Sequence, residues 1–243
     1  MRKLPVKKLA VLLLLLLSFQ LSWAQQTAHK IVVEEMKYLV YLPEGYQEDN
    51  EKQWPLMIFL HGAGESGEEL DKIKMHGPPK LIEQGKKFPF IVVSPQSLRG
   101  GWNPFYVKTL VEKAQSDYRV DNERIYLTGL SMGGFGTWNT ATMFPDIFAA
   151  ILPICGGGDP RMAKKLSDMP VWCFHGDEDN VVDIKYSQQM IDSLKPHNDN
   201  VKFTIYPGVT HDSWTQTYEN DEIYEWLLSH KRIKPEAIKP DEE

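Results

Sequence analysis

The feature that most restricts what this chain can fold into is the pentapeptide Gly129-Leu130-Ser131-Met132-Gly133. It stands directly after the β-run Ile125-Tyr126-Leu127 and directly before a helical pattern. G-x-S-x-G in that setting is a sharp strand-to-helix turn that lifts a serine hydroxyl out of the backbone. Side chains two positions to either side of the serine would collide across so tight a turn, so glycine is needed there. The helix that follows points free N–H groups and the positive end of its dipole at the turn, favouring negative charge developing on a nearby oxygen.

The rest of the chain supplies a sheet for such a turn. Short apolar or β-branched runs alternate with longer helix-like stretches, which predicts a mostly parallel sheet with crossover helices. Strands are predicted at Ile31–Val33 and Tyr38–Leu42, an antiparallel pair opening the sheet, then at Pro55–Leu60, Phe90–Val93 and Arg124–Thr128. Phe148–Ile154, Val171–Phe174 and Val201–Tyr206 follow. Helices are predicted over Pro104–Tyr118, Ser131–Phe144, Ile184–Leu194 and Asn220–Ser229, and no element is assigned between Leu60 and Phe90. Pro55–Leu60 is apolar throughout, as expected of a strand buried on both faces.

The N-terminus has the anatomy of a secretory signal peptide. Arg2, Lys3, Lys7 and Lys8 precede the apolar run Leu9–Leu17, and Ser22-Trp23-Ala24 offers small residues for cleavage before Gln25. The run is about half of the roughly 20 residues that a spanning helix needs, so a membrane anchor is not expected. The predicted organisation is a signal peptide over 1–24, one catalytic domain over 25–230 and a charged tail over 231–243. Loss of four basic and no acidic residues takes the formal charge from −6 to −10. An acidic surface of that size argues against nucleic acid or an anionic membrane as partner. The expected location is outside the cytoplasm, periplasmic or secreted. Cys155 and Cys173 fall near the ends of neighbouring predicted parallel strands, where disulfide geometry fits poorly, so two buried free thiols are expected.

A serine hydroxyl is a weak nucleophile until a base takes its proton, and that base must itself be oriented. His211, in Gly208-Val209-Thr210-His211-Asp212, follows the closing strand and is the candidate base. Asp177, Glu178 and Asp179 all follow the strand before it, and each is a candidate acid. His61 and His175 belong to turns and are expected to hold loops in place. An oxyanion needs backbone donors. Met132 N–H, just after the serine, is one candidate. The second is Ala63 N–H in the small-residue turn His61-Gly62-Ala63-Gly64, with Gly64 as the alternative. Trp102 and Trp214 are candidates to flank the site and hold a ring, against ordinary packing. No CxxC, HxH or HExxH spacing suggests a metal, and no cofactor is implied.

The segments LHGAGESG, HGPPKL, IVVSPQ, RIYLTGLSMGGFGTW, PICGGGDP, FHGDEDNVV and HDSW resemble the secreted esterases of the α/β-hydrolase superfamily. These are labelled predicted peptidases or phospholipase/carboxylesterase-like proteins, related to feruloyl and acetyl-xylan esterases and to polyhydroxybutyrate depolymerases. The similarity spans about Lys37 to Leu228. It implies an α/β-hydrolase fold and, through H-G-x-x-D-x-x-V at His175–Val182, points to Asp179 as the triad acid. It also implies esters with short or aromatic acyl groups, on small molecules or on polysaccharides. A peptidase related to prolyl oligopeptidases is the enzymatic alternative, although the chain has no room for the propeller domain those carry. A binding protein on a hydrolase scaffold would need a lost triad member, and all three are present. A dienelactone hydrolase would be expected to use cysteine where this chain has Ser131. Finally, only about fifteen residues separate Cys155 from Val171, room for a loop and a short helix but not for a lid.

Overall fold

The computed structural model describes residues 36–98 and 100–232. The expected signal peptide, the strand Ile31–Val33 and nearly all of the charged tail lie outside the described residues. Arg232 lies within them and is anchored: its N–H donates to Glu123 O at 2.8 Å and its Nη1 to Asp146 O at 2.6 Å. The second residue of the expected tail is therefore attached.

Seven strands form one sheet. They are β1 (Tyr38–Tyr41), β2 (Trp54–Leu60), β3 (Ile91–Pro95), β4 (Val120–Leu130), β5 (Ala150–Ile154), β6 (Val171–Gly176) and β7 (Val201–Tyr206). Their order is β1-β3-β2-β4-β5-β6-β7, with β1 antiparallel to β3 and every other pair parallel. Six helices are described: α1 (Gly77–Glu83), α2 (Pro104–Asp117), α3 (Met132–Met143), α4 (Lys185–Leu194), α5 (Trp214–Glu219) and α6 (Glu222–Leu228).

The core has two layers because strand side chains alternate between faces. Leu56, Ile58 and Leu60 of β2 pack with Ile125 and Leu127 of β4 against α2, α3 and α4. Met57 and Phe59 pack with Tyr126, Leu152 and Phe174 beside α1, α5 and α6 on the other side. Helices on both faces and an otherwise parallel sheet make this the α/β-hydrolase fold that the sequence predicts. Local chemistry sets the helix ends. Asn103 Oδ1 accepts Phe105 N–H at 2.9 Å ahead of Pro104, a good opening for α2. Pro145 follows the end of α3 and discourages another helical turn.

Strand order reverses between β2 and β4, and in such sheets ligands bind in the crevice at the carboxyl ends of the strands flanking that switch. Leu60 of β2 pairs with Gly129 of β4, so His61 and Ser131 emerge side by side there. Residues 155–170 between β5 and β6 contain only the 3-10 helix Pro160–Leu166, so the described residues include no lid. No described helix is long and apolar enough to cross a membrane.

Candidate active site

Ser131 sits at φ +52°, ψ −115°, a strained backbone for a non-glycine residue. Two hydrogen bonds hold it there. Its N–H approaches Ile154 O at 3.0 Å and Cys155 Sγ at 3.3 Å, both at the end of β5. Close backbone packing fixes the rest of the turn. A Cβ on Gly133 would lie 1.9 Å from Leu60 O, and one on Gly129 would lie 2.5 Å from Gly133 O. The two motif glycines are there because backbone fills the space a methyl would need.

The imidazole of His211 bridges the serine to a carboxylate. Ser131 O–H donates to His211 Nε2 at 2.9 Å, and His211 Nδ1–H donates to Asp179 Oδ2 at 2.7 Å. The Asp179 side chain is fully shielded from solvent, whereas that of His211 keeps 19% of its exposure. Asp179 Oδ1 accepts the N–H groups of Val181 and Val182, each at 2.9 Å. Burial pushes this carboxyl up, but the bonds from His211, Val182 and Val181 outweigh it and hold it below the usual value.

The other two acids do different work. Asp177 Oδ1 accepts Gly208 N–H at 2.6 Å, tying the β6 loop to the loop that carries His211, and Glu178 is exposed. His175 anchors the acid loop from inside: its Nε2 lies 2.8 Å from Val182 O and its Nδ1 2.8 Å from Ser187 Oγ. His61 likewise holds the turn after β2.

Met132 is the first residue of α3, so its N–H has no partner within the helix. Ala63 opens a 3-10 turn, is exposed, and follows Gly62, whose own N–H donates to Glu65 Oε2 at 2.7 Å. The two turns touch: a Cβ on Gly62 would lie 2.8 Å from Leu130 Cδ1. Met132 and Ala63 thus stand on neighbouring turns, and Gly64 lies one residue further along. Trp214 stands beside the base, its ring 5.1 Å from that of His211 and 5.4 Å from that of His76. Trp102 is 9% exposed; its indole N–H donates to His61 O at 3.0 Å and its ring lies 4.8 Å from the His61 ring. Its polar edge and part of its ring are thereby engaged by the turn. Sequence reasoning gives Glu65 and His76 no individual role, although Glu65 lies inside the motif LHGAGESG and His76 inside HGPPKL.

Cys155 and Cys173 are free and buried. Among the described residues, one group has ligand atoms close enough to hold a metal: Cys155, Asp179 and His211, mutually within 4.8 Å. Burial pushes the Cys155 thiol well up, so it is a poor source of thiolate, and the other two are already bonded to each other.

A strained serine at the end of β4, with an imidazole and a carboxylate delivered by the ends of β7 and β6, defines the site of an α/β-hydrolase. Within that class the chain belongs to the Dienelactone hydrolase family, which residues 103–225 match. Family membership gives the fold and leaves the substrate to be argued from the site. A thermostable esterase of known structure is 32% identical, with a TM-score of 0.71 covering 81% of this chain and 60% of that one. The bifunctional acetylxylan esterase/xylanase XynS20E of Neocallimastix patriciarum is 23% identical over 193 residues, 76% of this chain and 28% of that protein. Probable feruloyl esterase C of Aspergillus terreus is 27% identical over 127 residues, 50% of this chain and 46% of that protein. The chain thus spans less than half the length of these two curated relatives.

Proposed function

We propose that this chain is a serine hydrolase of carboxylic esters working through an acyl-enzyme on Ser131. The observation that carries the reading is the continuous hydrogen-bond chain Ser131–His211–Asp179. Ser131 Oγ attacks the ester carbonyl carbon while His211 Nε2 takes the hydroxyl proton. Asp179, kept ionised by its hydrogen bonds, holds the Nδ1–H tautomer and stabilises the imidazolium that forms. Negative charge moves to the carbonyl oxygen, where Ala63 N–H and Met132 N–H receive it. The C–O bond to the alcohol then breaks and His211 returns the proton to that oxygen. Water, deprotonated by the same imidazole, attacks the acyl-enzyme, and the carboxylic acid leaves as Ser131 recovers its proton.

The substrates we propose carry short or aromatic acyl groups, including acetyl or feruloyl esters on polysaccharides, and are met outside the cytoplasm after signal-peptide removal. The absence of a lid among the described residues supports this, because an open cleft admits an acyl group still attached to a bulky chain. The relatives' names, an acetylxylan esterase and a probable feruloyl esterase, point the same way.

Initial rates on methyl ferulate, acetylated xylan and chromogenic peptides test the reading. Ester cleavage that disappears in Ser131→Ala is expected. Faster cleavage of the peptide amides than of either ester would replace it with a peptidase.

A further inference from the structure

The turn after β2 contains two consecutive peptide groups with four polar atoms, and side chains claim three of them. In the peptide joining His61 to Gly62, the carbonyl accepts from Trp102 Nε1–H at 3.0 Å and the N–H donates to Glu65 Oε2 at 2.7 Å. In the peptide joining Gly62 to Ala63, the carbonyl accepts from His61 Nδ1–H at 2.6 Å. The proton must be on Nδ1, because His61 Nε2 accepts Ser97 N–H at 3.0 Å. The fourth atom is the Ala63 N–H. In a trans peptide the N–H points opposite the carbonyl, so a pinned Gly62 O aims the Ala63 N–H away from His61.

This arrangement resolves a conflict between space and rigidity. Gly62 has no room for a side chain, since a Cβ would lie 2.8 Å from Leu130 Cδ1 and 3.1 Å from Glu65 Oε2. Glycine is also the residue with the softest backbone, and it immediately precedes the proposed oxyanion donor. Something else must fix the first peptide plane. Glu65 grips one side of it and Trp102 the other. The Glu65 carboxylate is 4% exposed, and an ionised acceptor makes the stronger kind of hydrogen bond. Its other oxygen faces His76 Nε2 at 3.5 Å. Trp102 is backed by the nucleophile helix itself, because a Cβ on Gly136 would lie 2.7 Å from Trp102 Cβ. The clamp therefore references the Ala63 turn to the helix whose first residue, Met132, offers the other donor.

We propose that Glu65 and Trp102 are positioning residues for the oxyanion hole, acting together on the His61–Gly62 peptide so that the Ala63 N–H stays aimed at the developing oxyanion. The proposal rests on the ester-hydrolase reading above. Its signature is a loss confined to the transition state, since the clamp touches neither the ground-state ester nor the base.

Glu65→Ala, Glu65→Gln, Trp102→Phe and the double Glu65→Ala/Trp102→Phe are compared with wild type. The readouts are kcat and KM on p-nitrophenyl acetate, the inhibition constant of phenylboronic acid, whose adduct with serine is tetrahedral, and thermal melting to report folding. Glu65→Ala is expected to lower kcat by about 10²-fold or more, the order reported for removal of one oxyanion donor, with KM within about threefold. Boronate affinity is expected to fall by a similar factor. Glu65→Gln, whose amide oxygen accepts the same N–H, is expected to recover to within about tenfold of wild type. Trp102→Phe, which keeps a ring and loses the N–H, is expected to lose about tenfold, and the double variant to be little worse than Glu65→Ala. Folded Glu65→Ala with near-wild-type kcat, or a loss seen only in KM with boronate affinity unchanged, would overturn the clamp while leaving the ester-hydrolase reading intact. If Glu65→Ala does not fold, Trp102→Phe decides: unchanged kcat and boronate affinity overturn the clamp. Wild-type protein inert toward both probes would overturn the ester-hydrolase reading and the clamp with it.

Discussion

His211 Nδ1 lies 2.7 Å from Asp179 Oδ2, while Asp177, two residues earlier in the same loop, reaches instead to Gly208 N–H at 2.6 Å. One carboxylate faces the imidazole and the other fastens the loop that carries it. Asp179→Asn should therefore lower kcat by about 10³–10⁴-fold, the order seen when the orienting carboxylate is lost. Asp177→Asn should cost about tenfold or less, because an amide oxygen can still accept the Gly208 N–H. Steady-state kinetics of the two variants check the assignment, and a reversed order would contradict it.

Ser131 and His211 act as a unit in this account, so their losses should not add. Ser131→Ala and His211→Ala should each remove nearly all activity, and the double variant should be little worse than either. Clearly multiplicative losses would show that the two side chains do not share one proton-transfer step.

Stability should fall as the solution is acidified from neutral. Burial lowers the pKa of His61 and of His175 despite opposing contributions from nearby acceptors. For His61 the geometry gives the reason, since Nε2 must stay unprotonated to accept Ser97 N–H. With folded values below the ordinary one of about 6.5, the unfolded chain takes up protons first. The stability that depends on neutral histidine is thus present in full above about 6.5 and lost as pH falls toward the folded values. Asp179, also lowered, adds a second loss only below the usual carboxylate value, as pH falls through its folded pKa. Urea midpoints at pH 7.5, 6.5 and 5.5 should decline with little change in m; a midpoint that holds or rises would contradict this.

Much of the fold was legible because strands buried on both faces read as unbroken apolar runs. Val201–Tyr206 matches its predicted span, and the helix after Ser131 and the strand at Val171 are misplaced by a residue or two at most. The serine turn was legible because its glycines answer to backbone contacts with Leu60, one strand away. Three regions were not. α1 opens Gly-Pro-Pro, which reads as a loop although proline suits a first helical turn. α5, Trp214–Glu219, is six residues long with two threonines, too short for a periodic signal. β4 begins at Val120 rather than Arg124 because its polar start pairs with Trp54 across a register shift, which no local pattern encodes. Glu65, and the hydrogen-bonding role of Trp102 as distinct from its expected place beside the site, show the same limit. Their partners are peptide groups of a neighbouring turn, and hydrogen bonds to main chain leave no complementary residue in the sequence to find.

Chain-length preference follows from the short segment at residues 155–170, which supplies no lid among the described residues. Each methylene fully buried would be worth roughly 0.8 kcal/mol, and an open cleft buries few of them. On p-nitrophenyl esters, kcat/KM should peak between acetate and butyrate and drop by about an order of magnitude by octanoate or decanoate. A preference for decanoate, or a jump in rate on emulsified triglyceride, would reveal an acyl pocket that the structure does not suggest.

The central claim is that Ser131 is an activated nucleophile, and covalent labelling tests it most directly. Folded protein is treated with a fluorophosphonate, digested and analysed by mass spectrometry. The account predicts a single phosphonyl adduct on Ser131, absent from Ser131→Ala, and formed far more slowly in His211→Ala because the hydroxyl then keeps its proton. An unlabelled wild-type chain, or an adduct that persists in Ser131→Ala, would contradict it.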